Sequence, residues 1–244
     1  MATVNQRKRA SVLPHGFWLR ILVACFLCLP AVQLRAAQQD AQPHQIVEQA
    51  TGDLIAAIED AKGYFDQDPE RFYTEINRIL DPLVDFDGFA RSVMGRYGSN
   101  RYVASLEPEE RKHFVDQYRK FSTSFKQGLV RTYAKGLLNF SGEKIEVQPP
   151  RANDLDKIKR GDSVDVTQLI YGADPRPYTV ILKMRPDKND GWKLRNVTIE
   201  GVNLGQVYRS QFESAMETYK GDMDQVIVNW NVAPYDVENN KWES

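Results

Sequence analysis

Residues 108–138 read PEERKHFVDQYRKFSTSFKQGLVRTYAKGLL, and within them Phe114, Tyr118, Phe121, Phe125, Leu129 and Tyr133 recur at spacings of 4, 3, 4, 4 and 4. At 3.6 residues per turn these side chains form one continuous apolar stripe along a helix about 45 Å long. Arg111, Lys112, Asp116, Arg119, Lys120 and Lys126 fall on the other faces, so the helix has one wet side and one wide, dry side. Pro108 suits the first helical position, where its missing N–H is no loss. Glu109 and Glu110 complement the positive end of the helix dipole, and Gly136 predicts the C-terminal cap.

Working back toward the amino terminus, the helical period continues. Ile46, Val47, Leu54, Ile55, Ile58 and Tyr64 predict an amphipathic helix over 45–65. Asp68-Pro69 restarts the chain, Phe72, Tyr73, Ile76, Ile79, Leu80 and Val84 extend the pattern, and Pro82 and Asp85 turn it. Phe86, Phe89, Val93 and Tyr97 then share one face of a helix that Gly95 is placed to cap, and a short helical piece around Tyr102 leads into the long helix.

Beyond Gly136 the period falls from 3.6 to 2, as expected for half-buried strands. Ile145 and Val147 alternate with polar residues, as do Val164, Val166 and Ile170, then Tyr178, Val180, Leu182 and Met184. Trp192, Leu194, Val197 and Ile199 follow with a slip of phase at Arg195 and Asn196, which predicts a β-bulge. Turn chemistry lies between the strands: Arg160-Gly161-Asp162, Gly172-Ala173-Asp174-Pro175, and Asp187 to Gly191. Helices at 204–219 and about 222–230 close the chain before a polar tail, 236–244, that reads as frayed. The expected class is α+β: a twisted antiparallel sheet of about four strands, covered on one face by amphipathic helices.

Residues 1–36 carry Arg7, Lys8, Arg9 and Arg20, no acidic residue, an apolar run from Ile21 to Leu29 and a small-residue exit at Ala36-Ala37. That pattern predicts a cleaved secretory signal peptide, too short to span a bilayer. Leu22-Val23-Ala24-Cys25 fits a lipoprotein cleavage pattern by letters, but the apolar core runs on past Cys25. Both cysteines, Cys25 and Cys28, would leave with the signal, so the mature domain, 37–235, is expected to hold together without disulfides. Removing the five basic residues Arg7, Lys8, Arg9, Arg20 and Arg35 leaves about 27 basic against 33 acidic residues, a formal charge of about −6. A mildly acidic exported chain is a poor partner for nucleic acid or an anionic membrane surface. A bacterial periplasm fits best, and a monomer is expected.

Catalytic chemistry is not legible. His44 and His113 are the histidines left after the signal, and neither has spaced Cys, His, Asp or Glu partners that would read as a metal site. There is no nucleophile elbow and no glycine-rich phosphate loop. Asp85 and Asp87 flank a helix start and read as capping groups. What the chain has in surplus is wide apolar surface on both halves. Such side chains either fill one another or leave a dry cavity that takes apolar ligands.

The residues themselves carry a resemblance. Ile79-Leu80-Asp81-Pro82-Leu83-Val84-Asp85-Phe86, Val93-Met94-Gly95-Arg96-Tyr97, Trp192-Lys193-Leu194, Val197, Glu200-Gly201-Val202 and Tyr208-Arg209-Ser210-Gln211-Phe212 strongly resemble the MlaC family. That family is the periplasmic component of a phospholipid-trafficking ABC system, also known as toluene tolerance proteins. The likeness runs in order from about residue 43 to 232, with Asn196 and Asn203 standing where aspartate and serine are more usual. It implies a non-enzymatic carrier of a glycerophospholipid between an outer-membrane lipoprotein complex and an inner-membrane ABC transporter, maintaining outer-membrane lipid asymmetry. The acyl chains would lie in an apolar pocket between sheet and helices, with phospholipid as cargo and no cofactor. On this footing Phe86, Phe89, Val93, Tyr97, Phe121, Phe125, Leu129, Tyr178, Val180, Leu182, Val197, Ile199, Tyr208 and Phe212 are the expected pocket lining, and Arg91, Arg96, Arg195 and Arg209 the cations near a phosphate. The alternative is a periplasmic protein-interaction or chaperone-like module with an exposed aromatic groove.

Overall fold

Side-chain caps and prolines set where the helices begin. The computed structural model describes residues 42–138, 144–172, 176–188, 191–232, 235–236 and 241–242. The expected signal peptide and both cysteines lie outside these residues, as do parts of the turns expected at 172–175 and 187–191. Helix α1 spans Pro43–Ala61, α2 Pro69–Leu80, α3 Phe86–Val93, and a 3-10 turn Gly95–Gly98 leads to α4, Asn100–Ser105. The long helix α5 spans Pro108–Leu138. Pro43, Pro69 and Pro108 open their helices, while Asp68, Asp85 and Ser99 accept the N–H of Arg71, Gly88 and Tyr102. Gly136 lies inside α5, which continues through Leu138. Leu137 and Leu138 are half-buried and add another turn of apolar contact where a cap was expected.

Strands β1 (Lys144–Val147), β2 (Val164–Tyr171), β3 (Tyr178–Asp187), β4 (Gly191–Ile199) and β5 (Val202–Asn203) form one antiparallel sheet in that order. The sheet has one short strand more than the alternation predicts, because a two-residue strand is too brief to show a period. Between β1 and β2 the chain forms helix α6, Ala152–Arg160, where a short connection was expected. Its sequence, ANDLDKIKR, holds Leu155 and Ile158 as its large apolar residues, and Gly161, at φ 71°, ends it in the left-handed region. Lys183 pairs with Asn196 and Met184 with Leu194, so Arg195 is the extra residue of the predicted bulge.

Helices α7 (Leu204–Thr218) and α8 (Met223–Val228) follow. Tyr235–Asp236 then pairs antiparallel with Lys241–Trp242 as β6 and β7, a small ladder within the tail that was expected to be frayed. No helix of the described residues is long and apolar enough to cross a membrane.

In an antiparallel ladder, cross-strand partners share a face. Val166, Leu182 and Val197 stand in one row, Gln168, Val180 and Ile199 in the next, and Val164, Met184 and Leu194 on the other side. This face meets the helices. The opposite face carries the cross-strand ion pair of Asp165 with Lys183 at 3.5 Å.

Candidate functional site

Three groups of buried side chains, rather than one, fill the space between the elements. The first is helical and aromatic, with Phe89, Val93, Phe121, Phe125, Tyr208 and Phe212 from α3, α5 and α7. The second lies between α1 and the sheet, with Ile46, Val47, Val164, Val166, Met184 and Leu194. The third joins α1, α2 and α5 through Ile58, Phe72, Ile76, Ile79 and Val130. Half-buried residues connect them: Phe86 packs against the first and third groups, Val197 against the first and second, and Leu80 against the second and third.

Those seams carry the geometry of interest. A side chain on the helix-covered face of a central strand should be sealed if the layers close over it. Leu182 sits on β3 between Val180 and Met184, with Val166 and Val197 as cross-strand partners, yet it is only half-buried. Val197 and Ile199 on β4 are half-buried as well. At the far end of the same face Tyr178 is 36% exposed, while Met184 is fully buried. Along β3 the sheet's inner wall is therefore closed at its bulged end, half-open at Leu182, closed again at Val180 and exposed at Tyr178.

The closed end is held by the linker between α2 and α3. Leu194 N–H donates to Leu83 O at 2.8 Å and Asp85 N–H to Leu194 O at 3.1 Å, which makes Val84 and Leu194 an isolated parallel bridge beside the bulge. Arg195 forms ion pairs with Asp85 and, at 3.6 Å, with Asp187. Burial pushes the Arg195 guanidinium below its ordinary pKa. A Cβ at Gly88 would meet the Asp85 carboxylate and the Arg195 guanidinium, so a side chain there would have to displace this ion pair. The start of α3, and with it Phe86, is thus pinned to the sheet.

The expected lining residues divide into two sets. Phe89, Val93, Phe121, Phe125, Leu129, Tyr208 and Phe212 are buried in the aromatic group. Phe125 meets Phe89 edge-on at 5.4 Å and Tyr208 at 5.5 Å, and Phe121 meets Phe212 at 5.0 Å. Phe86, Tyr97, Leu182, Val197 and Ile199 keep accessible surface, Tyr178 is exposed, and Val180 is buried between them. Tyr208, with no accessible surface, shares a 2.8 Å hydroxyl–hydroxyl bond with the half-buried Tyr133; burial, then the neighbouring Tyr133, drives its pKa far above the usual phenol value.

The expected cations are engaged within the chain. Arg91 donates to Gly98 O at 2.7 Å and Asn100 Oδ1 at 2.7 Å, bracing the 3-10 turn. Arg209 donates to Ser92 O at 2.9 Å and Ser92 Oγ at 3.1 Å, tying α7 to α3. Arg96 donates to its neighbour's Tyr97 hydroxyl at 2.7 Å. Arg195 is the ion-paired residue of the bulge. Among the described residues no group of three or more His, Cys, Asp or Glu side chains is placed to hold a metal ion.

A sequence profile described as MlaC protein matches residues 48–232. The chain belongs to the MlaC family. The toluene tolerance protein ttg2D of Pseudomonas putida is 31% identical over 220 residues, covering 90% of this chain and 90% of that relative. The intermembrane phospholipid transport system binding protein MlaC of Haemophilus influenzae (strain ATCC 51907 / DSM 11121 / KW20 / Rd) is 24% identical over 189 residues, 77% of this chain and 79% of its own length. Among solved structures, the phospholipid-binding protein from Ralstonia solanacearum, in complex with a phospholipid, matches with a TM-score of 0.60 at 22% identity, covering 77% of this chain and 94% of that one. The shared fold is therefore seen from both sequence and structure. Asn196 and Asn203, expected from the resemblance to stand where other residues are more usual, pair with each other: Asn196 Nδ2 donates to Asn203 Oδ1 at 2.9 Å, Asn203 caps α7, and Asn196 Oδ1 accepts the Gly205 N–H at 3.1 Å.

Sequence reasoning missed Leu80 and Val84 as seam residues. Both lie in the quoted MlaC stretch, Leu80 as the last residue of α2 and Val84 in the linker beyond Pro82, and the available signal was an apolar pair flanking that proline.

Proposed function

We propose that this chain is a soluble periplasmic carrier that holds a glycerophospholipid by its acyl chains between sheet and helices, and passes it between an outer-membrane lipoprotein complex and an inner-membrane ABC transporter. The observation that carries the reading is the half-buried inner wall of the sheet, Leu182, Val197 and Ile199, lying where the aromatic helical group and the sheet group meet. Membership of the MlaC family and the phospholipid named for two of the relatives support the same cargo.

The energetics favour tails over charge. Exposing two acyl chains to water costs on the order of 20 kcal/mol at ~0.8 kcal/mol per CH₂. A carrier must offer an environment close to that of the bilayer, so that uptake and release are each near neutral. An apolar wall meets that need without a cationic cradle. Such a carrier has no direction of its own, and no catalytic step is assigned to it.

The test is uptake from vesicles. Lipid-stripped mature chain, incubated with vesicles carrying a fluorescent phospholipid and separated by size, is expected to acquire about one lipid per chain. A folded chain that acquires none contradicts the carrier reading and promotes the protein-interaction alternative.

A further inference from the structure

Resting on the carrier reading, we infer that Gln168 is a cargo-binding residue whose amide hydrogen-bonds an acyl ester carbonyl, so that the chain takes ester-linked rather than ether-linked phospholipid. Gln168 is in phase with Val164, Val166 and Ile170 on β2, and so stands on the face that meets the helices. There it is the polar member of the row Val147, Gln168, Val180 and Ile199. One step along the strands lies the row that holds the half-open Leu182 and Val197; one step the other way lie Ile170 and the exposed Tyr178. At about 3.3 Å per residue each step is about 7 Å. In a lipid held along this wall, with tails against Leu182 and Val197 and water beyond Tyr178, the junction of head and tails falls at the Gln168 row.

An amide on an apolar wall needs partners, because a polar group shut away from water without them is costly. Gln168 is half-buried, and its Nε2 donates to Thr51 Oγ1 of α1 at 2.6 Å. The Thr51 hydroxyl itself donates to Val47 O at 2.7 Å, so toward Gln168 it can only accept. That fixes the amide: its nitrogen faces Thr51, and its second N–H and its carbonyl are left for other partners. Among the described residues Thr51 is the one side-chain partner of Gln168.

An ester-linked lipid supplies the missing acceptor. Water reaches a half-buried amide, but acyl chains lying along the wall displace it. The ester carbonyl of the same lipid loses its own water as it enters the seam. Pairing the second Gln168 N–H with that carbonyl satisfies both groups at once. An ether-linked chain has no carbonyl and leaves the N–H unmet. A tie between α1 and the sheet needs no more than the N–H that Thr51 accepts, and a tie alone would not tell the two linkages apart.

The experiment loads lipid-stripped chain from vesicles of equal parts diacyl phosphatidylethanolamine and the dialkyl ether lipid of the same head and chain length. The bound ratio is read by mass spectrometry. One neutral hydrogen bond is worth about fivefold. Gln168→Met, which keeps the length of the side chain but has no N–H, is therefore expected to lower the ester-to-ether ratio about fivefold from that of the unmutated chain. Any preference of the vesicle itself is common to both chains and cancels. Thr51→Val, which removes the tie and leaves the amide, is expected to keep most of the ester preference. A second reading needs no variant: the isotope-labelled ester carbonyl of lipid bound to the unmutated chain is expected to absorb in the infrared at the lower frequency of a hydrogen-bonded ester. An unchanged ratio in folded Gln168→Met, the same fall in both variants, or a free-ester band in the unmutated chain overturns the assignment while lipid loading still upholds the carrier. Absence of either lipid from the unmutated chain removes the carrier reading and this one with it.

Discussion

The aromatic helical group and the inner wall of the sheet are built from similar side chains and end in opposite states. In the first, Phe121, Phe125, Tyr208 and Phe212 have no accessible surface, because each ring is covered by others edge-on or stacked. In the second, Leu182, Val197 and Ile199 line a covered face and remain half-open. Hydrophobicity alone does not separate them. What differs is the partner: rings on neighbouring helices interdigitate, whereas the sheet face is approached by α1 at one place and by α3 and α7 at another. On the proposed reading the sealed region is the scaffold, and the seam between helices and sheet is where cargo would fit.

The largest expected effect comes from breaking the sealed side. Phe125→Ala removes a ring in contact with Phe89, Phe121, Tyr208 and Trp230 and is expected to lower stability by about 3–5 kcal/mol, read as a fall in the urea midpoint. Next comes the open side. Leu182→Asp places a carboxylate on the cargo wall, and the lipid-free variant is expected to stay folded by circular dichroism while loading falls at least about tenfold, equivalent to ~1.4 kcal/mol. Full loading in a folded Leu182→Asp chain would remove Leu182 from the wall.

The smallest effect sharpens the comparison at the sheet's sealed edge. His44 is buried at the start of α1; burial lowers its pKa below 6.5, Asp154 opposes that shift, and Arg151 adds to it. The unfolded chain therefore takes up a proton near pH 6.5 that the folded one resists. The contribution is present above that pH and is lost as pH falls toward the depressed folded value. Between pH 7 and 5 the urea midpoint is expected to drop less in His44→Gln than in the unmutated chain; equal slopes would show that His44 titrates alike in both states.

Much of the scaffold was legible. The 3.6 period over 108–138 gave the long helix, the period of 2 gave the main strands, and the phase slip at Arg195 gave the bulge. Helix α6 was not, since Leu155 and Ile158 are too few to show a period and its start depends on Asp154 reaching back to the Arg151 N–H at 3.0 Å. The division of the lining residues was also hidden. Phe121 and Leu182 are both apolar residues at the right phase, and only the distance between elements decides which is sealed. The partners of the arginines were hidden for a related reason: Arg91 and Arg209 bond backbone carbonyls of Gly98 and Ser92, contacts set by tertiary placement rather than by residue type.

The most direct measurement is mass spectrometry of an organic extract from the chain, expressed with its own amino-terminal segment, recovered from the periplasm and purified without detergent. Near-stoichiometric phospholipid is the predicted result, and the number of acyl chains would size the seam. A well-folded chain recovered from the periplasm without lipid, and unable to take any from vesicles, would contradict the account and return the half-open wall to plain, imperfectly covered core.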